Sequence, residues 1–374
     1  MKVISRMILT LAIAFLCWQQ EARAQQPTGN KPESPSAQDK DVPVIELIAQ
    51  GKALYRTAKF KMALAKFEAA LEQEKENDEA LGLAAETSFR LDSQEAARDY
   101  FLRRAELSGQ KDSVKAYCYH RAAMTCWREA HDLVAKYIEL KNGKPTHNMP
   151  ESTEHEASET INNGIEYATR ALNLRNNFAD AYNIRNLLHA EAALLAEDEA
   201  SAKNSWQKSL DDVRMALSMS KPVLGDKFDA ADFNFPTIRI AEFSRTKEEQ
   251  DVQTGELLKI IEGGKPLKRV QPIFPATRPG NKPADAVDAA PKSTLTSGKV
   301  KVEVLVSTEG KVIFSHIIDG RSELNSAAIL AARGWTFEPA MLDGQPVQIS
   351  GVISFELKKP PVTPPVSTIP SKKP

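Results

Sequence analysis

The hydrophobic period changes partway along the chain, and that change constrains the fold more than any single motif. In residues 44–74 apolar side chains recur at steps of three and four: Leu47, Ile48, Leu54 and Tyr55, then Phe60, Ala63, Leu64, Phe67, Ala70 and Leu71. Residues 57–59 interrupt the series, so the spacing predicts a helix, a tight turn and a second helix, each with one apolar face. From Gly298 the period becomes two. Val300, Val302, Val304 and Val306 alternate with Lys299, Lys301, Glu303 and Leu305, the pattern of a strand with one strongly apolar face. A chain of 374 residues has room for two or three domains of roughly 150 residues each. The two periods therefore predict units of different class.

The second unit can be read further. Thr308, Glu309 and Gly310 turn the chain into a second strand over residues 311–319, making a hairpin. Ser322 is placed to cap a helix whose Leu324, Ala327, Ala328 and Ala331 form an inward stripe ending near Gly334. A last strand covers residues 347–357, with Val347, Ile349, Ile353, Phe355 and Leu357 on one side. The order strand, strand, helix, strand predicts a small α+β domain at residues 298–357. A tail at 358–374 carries six prolines and is expected to be extended and solvated.

The first segment reads as an address. Lys2 and Arg6 precede an apolar run over residues 7–18, and Ala22-Arg23-Ala24 ends the stretch, so a signal peptide over residues 1–24 is expected. The run is about twelve residues, short of the roughly 20 needed to span a bilayer. A periplasmic location follows, with an inner-membrane anchor as the alternative. Cys118 and Cys126 fall on one predicted helix about 12 Å apart, beyond disulfide reach, and are read as small buried hydrophobes. Residues 25–42, rich in Gln, Pro and Ser, are expected to be a disordered spacer.

Gly51, Ala58, Phe60, Ala63, Phe67 and Ala70 resemble the small and aromatic positions of the 34-residue tetratricopeptide repeat. A second unit over residues 79–107 has Ala84, Ala85, Ala97 and Phe101 at similar places, though Asp92 and Gln94 depart from the usual turn residues. Residues 168–182 look like the end of one repeat running into the next. The resemblance implies an all-α helical array over residues 43–220. Within it, residues 142–153 combine Gly, two Pro and polar side chains and are expected to form a long loop, where His147 and His155 flank Glu151 and Glu154 without metal-ligand spacing. A connector at 221–265 holds Phe228, Phe233, Phe235 and Phe243, whose number implies burial, and one helix over residues 245–262 stopped by Gly263 and Gly264. Residues 266–297 are expected to be a flexible linker that lets the two modules move independently.

Two separated motifs in the C-terminal part resemble the TonB energy-transducer family. Trp335, Phe337, Pro339 and Ala340, followed by Gly344 and Pro346, resemble its aromatic-x-aromatic-x-Pro-Ala run and Gly-x-Pro-Val turn; Pro272, Phe274 and Pro275 resemble the segment leading into the domain. Core packing is the direct role expected of Trp335 and Phe337. The resemblance implies a domain that captures an extended peptide of an outer-membrane receptor or envelope protein by adding it to a sheet edge. The candidate edge is Val347, Gln348, Ile349, Ser350, Gly351, Val352, Ile353, Ser354 and Phe355.

No nucleophile elbow, phosphate-binding loop or dinucleotide fingerprint occurs, and the six histidines are scattered without evident partners, so no enzyme, cofactor or metal is expected. The 49 basic and 50 acidic residues leave a formal charge of -1, which provides no broad basic surface for nucleic acid. Protein or peptide partners are expected, with membrane contact only through them or through an uncleaved N-terminal segment. The leading reading is a periplasmic adaptor with one partner on the helical array and another on the C-terminal domain. An energy transducer for receptor-mediated transport and a Tol-like envelope structural protein are the alternatives.

Overall fold

The computed structural model describes residues 39, 41–141, 144–219, 236–243, 261–273 and 297–358. The expected signal peptide, most of the spacer, the helix at 245–260 and the tail beyond residue 358 lie outside these residues, as do Phe228, Phe233 and Phe235.

The array starts with α1 (Val44–Arg56) and α2 (Phe60–Gln73), followed by α3 (Asp78–Arg90) and α4 (Gln94–Ala105). These two helical hairpins start at the 34-residue spacing of a tetratricopeptide unit. A Cβ on Gly51 would stand 2.4 Å from the Phe67 ring, so glycine is what lets α1 and α2 approach. One repeat later Ala85 faces Phe101 in the same sense, and both are fully buried. The turn residue Ala58 has φ 57° and its counterpart Asp92 has φ 63°, so Asp92 preserves the backbone shape despite its departure from the sequence pattern. Asn77 caps α3 by accepting a 3.0 Å hydrogen bond from the Ala80 N–H.

A third hairpin is stretched. α5 (Asp112–Tyr137) has 26 residues and runs into a short antiparallel pair, β1 (Ile138–Lys141) and β2 (Lys144–His147), after which come α6 (Glu151–Leu174), α7 (Ala179–Leu194) and α8 (Glu199–Met219). Of the expected long loop at 142–153, residues 144–147 are instead a strand and residues 151–153 open a helix. Ala168, Ala171, Phe178 and Ala181 carry the chain from α6 into α7 with their side chains buried. Cys118 and Cys126 are buried as expected, and burial pushes each thiol up to about 11. The end of the spacer is ordered: Asp39 is buried and lies 2.5 Å from Lys66 Nζ on α2.

The C-terminal domain is built on β6 (Ser297–Val306), β7 (Val312–Gly320), α9 (Ser322–Arg333) and β10 (Gln345–Lys358), the predicted order. Ser322 is the first residue of α9 rather than its cap. Five shorter strands supplement this frame: β3 (Thr237–Glu242), β4 (Ile261–Glu262), β5 (Pro266–Lys268), β8 (Thr336–Phe337) and β9 (Ala340–Leu342). The main sheet runs β4-β9-β10-β6-β7, and β3 lies parallel on β10. Residues 261–268 belong to the domain, so it begins before the expected boundary, and residues 261–262 are strand where a helix was expected.

Val300, Val302, Val304, Leu324, Ala328 and Trp335 form the center of its core. Gly310 turns the β6–β7 hairpin with φ 79°, and its carbonyl accepts from the Phe337 N–H at 2.8 Å. A Cβ there would stand 2.0 Å from the Phe337 carbonyl oxygen, so both conformation and space require glycine.

Candidate functional site

The family-motif residues take structural places. Trp335 and Phe337 are 1% exposed, and the Trp335 indole donates to the Val270 carbonyl at 2.9 Å. Ala340 begins β9, and Gly344, at φ 76°, completes a two-residue turn with Asp343 that delivers Pro346 into β10 opposite Met341. Pro339 is exposed and Pro272 half-buried. Phe274 and Pro275 lie outside the described residues.

The nine candidate edge residues lie along one strand, β10, as the alternation predicts, but that strand is flanked on both sides. β6 pairs antiparallel with residues 349–358, while β9 covers residues 345–347 and β3 covers residues 348–352 on the opposite side. Val347, Gln348, Ile349, Val352 and Ile353 are at most 2% exposed. The expectation of an open edge centered on Ser350 is thus corrected. The reason is physical: an open edge leaves main-chain N–H and C=O groups unpaired, and here the chain's own connector pairs them. Gln348 N–H donates to Pro236 O at 3.1 Å, and Phe243 N–H donates to Val352 O at 2.7 Å. Only beyond Val352 does the side of β10 away from β6 have no strand partner among the described residues.

β3 alternates between two environments. Ile238, Ile240 and Phe243 pack into the domain core, where Phe243 meets the Phe337 ring at 4.6 Å. Arg239 turns the other way, toward the helical array, and is fully buried. Its Nε donates to Glu191 Oε1 of α7 at 3.2 Å, and its Nη1 lies 3.8 Å from Glu303 Oε1 of β6. His131 of α5 bridges the same carboxylates, with Nδ1 2.5 Å from Glu191 and Nε2 2.7 Å from Glu303. His316 of β7 approaches Glu303 Oε2 at 3.4 Å. The histidines expected to lack partners therefore include His131 inside one buried ionic cluster and His316 at its half-buried margin, and His147 adds a looser contact to Glu154 at 3.7 Å.

The electrostatics of the cluster are mutual. Burial alone would drive His131 to its neutral form, but the Glu303 and Glu191 carboxylates outweigh it and raise the pKa well above the ordinary imidazole value. Burial likewise opposes ionisation of Glu303, and the imidazolium of His131 overcomes it, holding the carboxyl below its usual range. Glu191 shifts downward for the same reasons. Two cations and two anions are thereby held together where the array, the connector and the sheet meet.

Further contacts tie the same surfaces. Lys301 Nζ of β6 donates to the Lys136 and Ile138 carbonyls at 2.7 and 2.8 Å, at the end of α5. Asn186 of α7 donates to the Thr237 carbonyl at 2.7 Å, and Arg214 of α8 donates to Asp343 at 2.7 Å. The modules expected to move independently are joined by the buried ionic cluster and by these side-chain hydrogen bonds. On the array itself, a cleft of about 470 Å³ is lined by Asp92, Gln94, Glu95, Arg128, Glu129 and Asp132. It is mainly acidic. Among the described residues no group of three His, Cys, Asp or Glu side chains is arranged to hold a metal ion.

Residues 292–357 match the family described as Gram-negative bacterial TonB protein C-terminal. No curated protein sequence matches the chain. Among solved structures, MamA 41-end from Desulfovibrio magneticus RS-1 is similar at 11% identity over 48% of this chain and 78% of that one, with a TM-score of 0.32. TTC0263, a thermophilic TPR protein in Thermus thermophilus, is similar at 14% identity over 48% and 93%, with a TM-score of 0.27. YrrB, described as a TPR protein with an unusual peptide-binding site, is similar at 12% identity over 50% and 90%, with a TM-score of 0.23. The TonB-type match is thus confined to the C-terminal part, and the paired helices before it start at the 34-residue spacing of a tetratricopeptide unit. Among the described residues no helix is long and apolar enough to cross a membrane.

Proposed function

We propose that the protein is a non-catalytic adaptor of the Gram-negative cell envelope, exported to the periplasm, with one protein partner on the helical array and another on the TonB-type domain. The observation that carries this reading is β3. The domain's sheet already holds, in parallel on β10, a strand from outside its own strand-strand-helix-strand frame, which is the geometry of peptide capture by strand addition. The acidic cleft beside α4 and α5 supports a basic segment as the partner of the array, because carboxylates lining a surface favour an oppositely charged ligand.

Intact-mass measurement on the protein isolated from its native envelope, with the fraction recorded, tests the reading. A chain beginning at Gln25 in the periplasmic fraction is the expected result. A chain beginning at Met1 in the inner membrane would overturn the periplasmic adaptor and favour an anchored energy transducer.

A further inference from the structure

β3 has the features of a ligand seated in the sheet. It is parallel to β10, while the other pairings in that sheet are antiparallel. The register slips between Ser350 and Val352, so the match is imperfect. Its side chains fill two kinds of seat, an apolar one for Ile238 and an ionic one for Arg239, as recognition by strand addition requires. The ionic seat is incompletely satisfied: Arg239 Nη2, Glu191 Oε2 and Gln348 Nε2 are buried and have no hydrogen-bond partner among the described residues. Buried polar groups left unpaired weaken a contact, so this seam is less favourable than its burial suggests.

We propose that residues 236–243 are a resident ligand of the β10 edge, and that an extended partner peptide with an arginine between two β-branched apolar residues takes the same seat by exchange. The requirement for arginine comes from Glu303 and Glu191, which stay buried whichever strand occupies the edge and need a cation opposite them. The apolar flanks follow from Ile238, which is buried in the core, and Ile240, which packs against Gly351. This inference rests on the adaptor reading and adds its regulation: the domain is closed to partners until its own strand leaves.

The test uses the full chain and a fluorescein-labelled synthetic peptide of residues 236–243, with binding followed by fluorescence anisotropy. Ile238→Asp weakens the resident strand by placing a carboxylate in the core but leaves β10 intact. The peptide is expected to bind this variant at least about tenfold more tightly than the parent chain, and the peptide carrying Arg239→Glu is expected to lose at least about tenfold. Circular dichroism and a thermal melt establish that the variant is folded. Should it fail to fold, Arg239→Met, which keeps most of the side-chain volume, takes its place with the same expected gain. A folded variant that binds the peptide no better than the parent overturns the proposal and makes β3 a fixed part of the fold. Equal tight binding by the parent overturns it too, since the edge would then be open. The mass and fraction of the native protein test the adaptor reading separately, so the two can fail independently.

Discussion

His131 on a helix of the array and Glu303 on a strand of the C-terminal sheet face each other at 2.7 Å, both buried. This contact sets a pH dependence. A histidine whose folded pKa is raised stabilises the protein fully below its unfolded value near 6.5, and the contribution is lost as pH rises through the folded value. Glu303, whose pKa is lowered, contributes above its unfolded value near 4.5 and loses that contribution as pH falls through the folded value. The melting temperature should therefore be highest between these unfolded values and decline above neutral pH. His131→Gln should remove much of the alkaline decline and cost about 3–5 kcal/mol near pH 6, because two carboxylates remain buried with one cation fewer. Melting temperature measured from pH 4 to 10 for both chains checks it. An unchanged alkaline slope would place the titrating group elsewhere.

The seam also predicts cooperativity. Calorimetry of the parent should show the array and the C-terminal domain unfolding in one transition, since the ionic cluster and the side-chain hydrogen bonds around it link them. Arg239→Ala should separate the transition into two, as breaking a buried pair costs about 3–5 kcal/mol. Two transitions in the parent would mean that the modules are only loosely joined.

Lys301→Met tests a second tie. It retains the aliphatic stem but removes the ammonium that donates to two carbonyls at the end of α5. A loss of about 1–3 kcal/mol is expected from denaturant titration, the usual range for hydrogen bonds to a charged group.

In the array, Gly51→Ala sets two effects against each other. Helix propensity favours alanine by about 1 kcal/mol. The added methyl meets the Phe67 ring, and overpacking of this kind costs about 1–3 kcal/mol, so net destabilisation is expected. A stabilised variant, measured by urea unfolding, would show that the α1–α2 contact is looser than described.

The frame of the C-terminal domain was legible because β6, β7, α9 and β10 are long enough to display a period. β4, β5, β8 and β9 have two or three residues each, too few for alternation to register. The Asp343–Gly344 turn was the available signal for β9. β3 was hidden for a different reason. Its Thr-Ile-Arg-Ile-Ala-Glu sequence is rich in β-branched residues after Pro236, but both faces are buried, so its charged residues read as solvent-facing. The ionic cluster had no local signature at all. His131, Glu191, Arg239 and Glu303 come from four elements, and each looks like an ordinary surface charge until the fold brings them together.

Hydrogen exchange of the backbone amides in the native chain tests the closed edge most directly. The Gln348 amide, which donates to Pro236 O, should be strongly protected but exchange through release of β3, and so faster than the amides linking β6 to β10. Exchange at Gln348 at the rate of an unpaired, solvent-exposed amide, with β6 still protected, would show that β3 does not cover this edge, and would contradict the account.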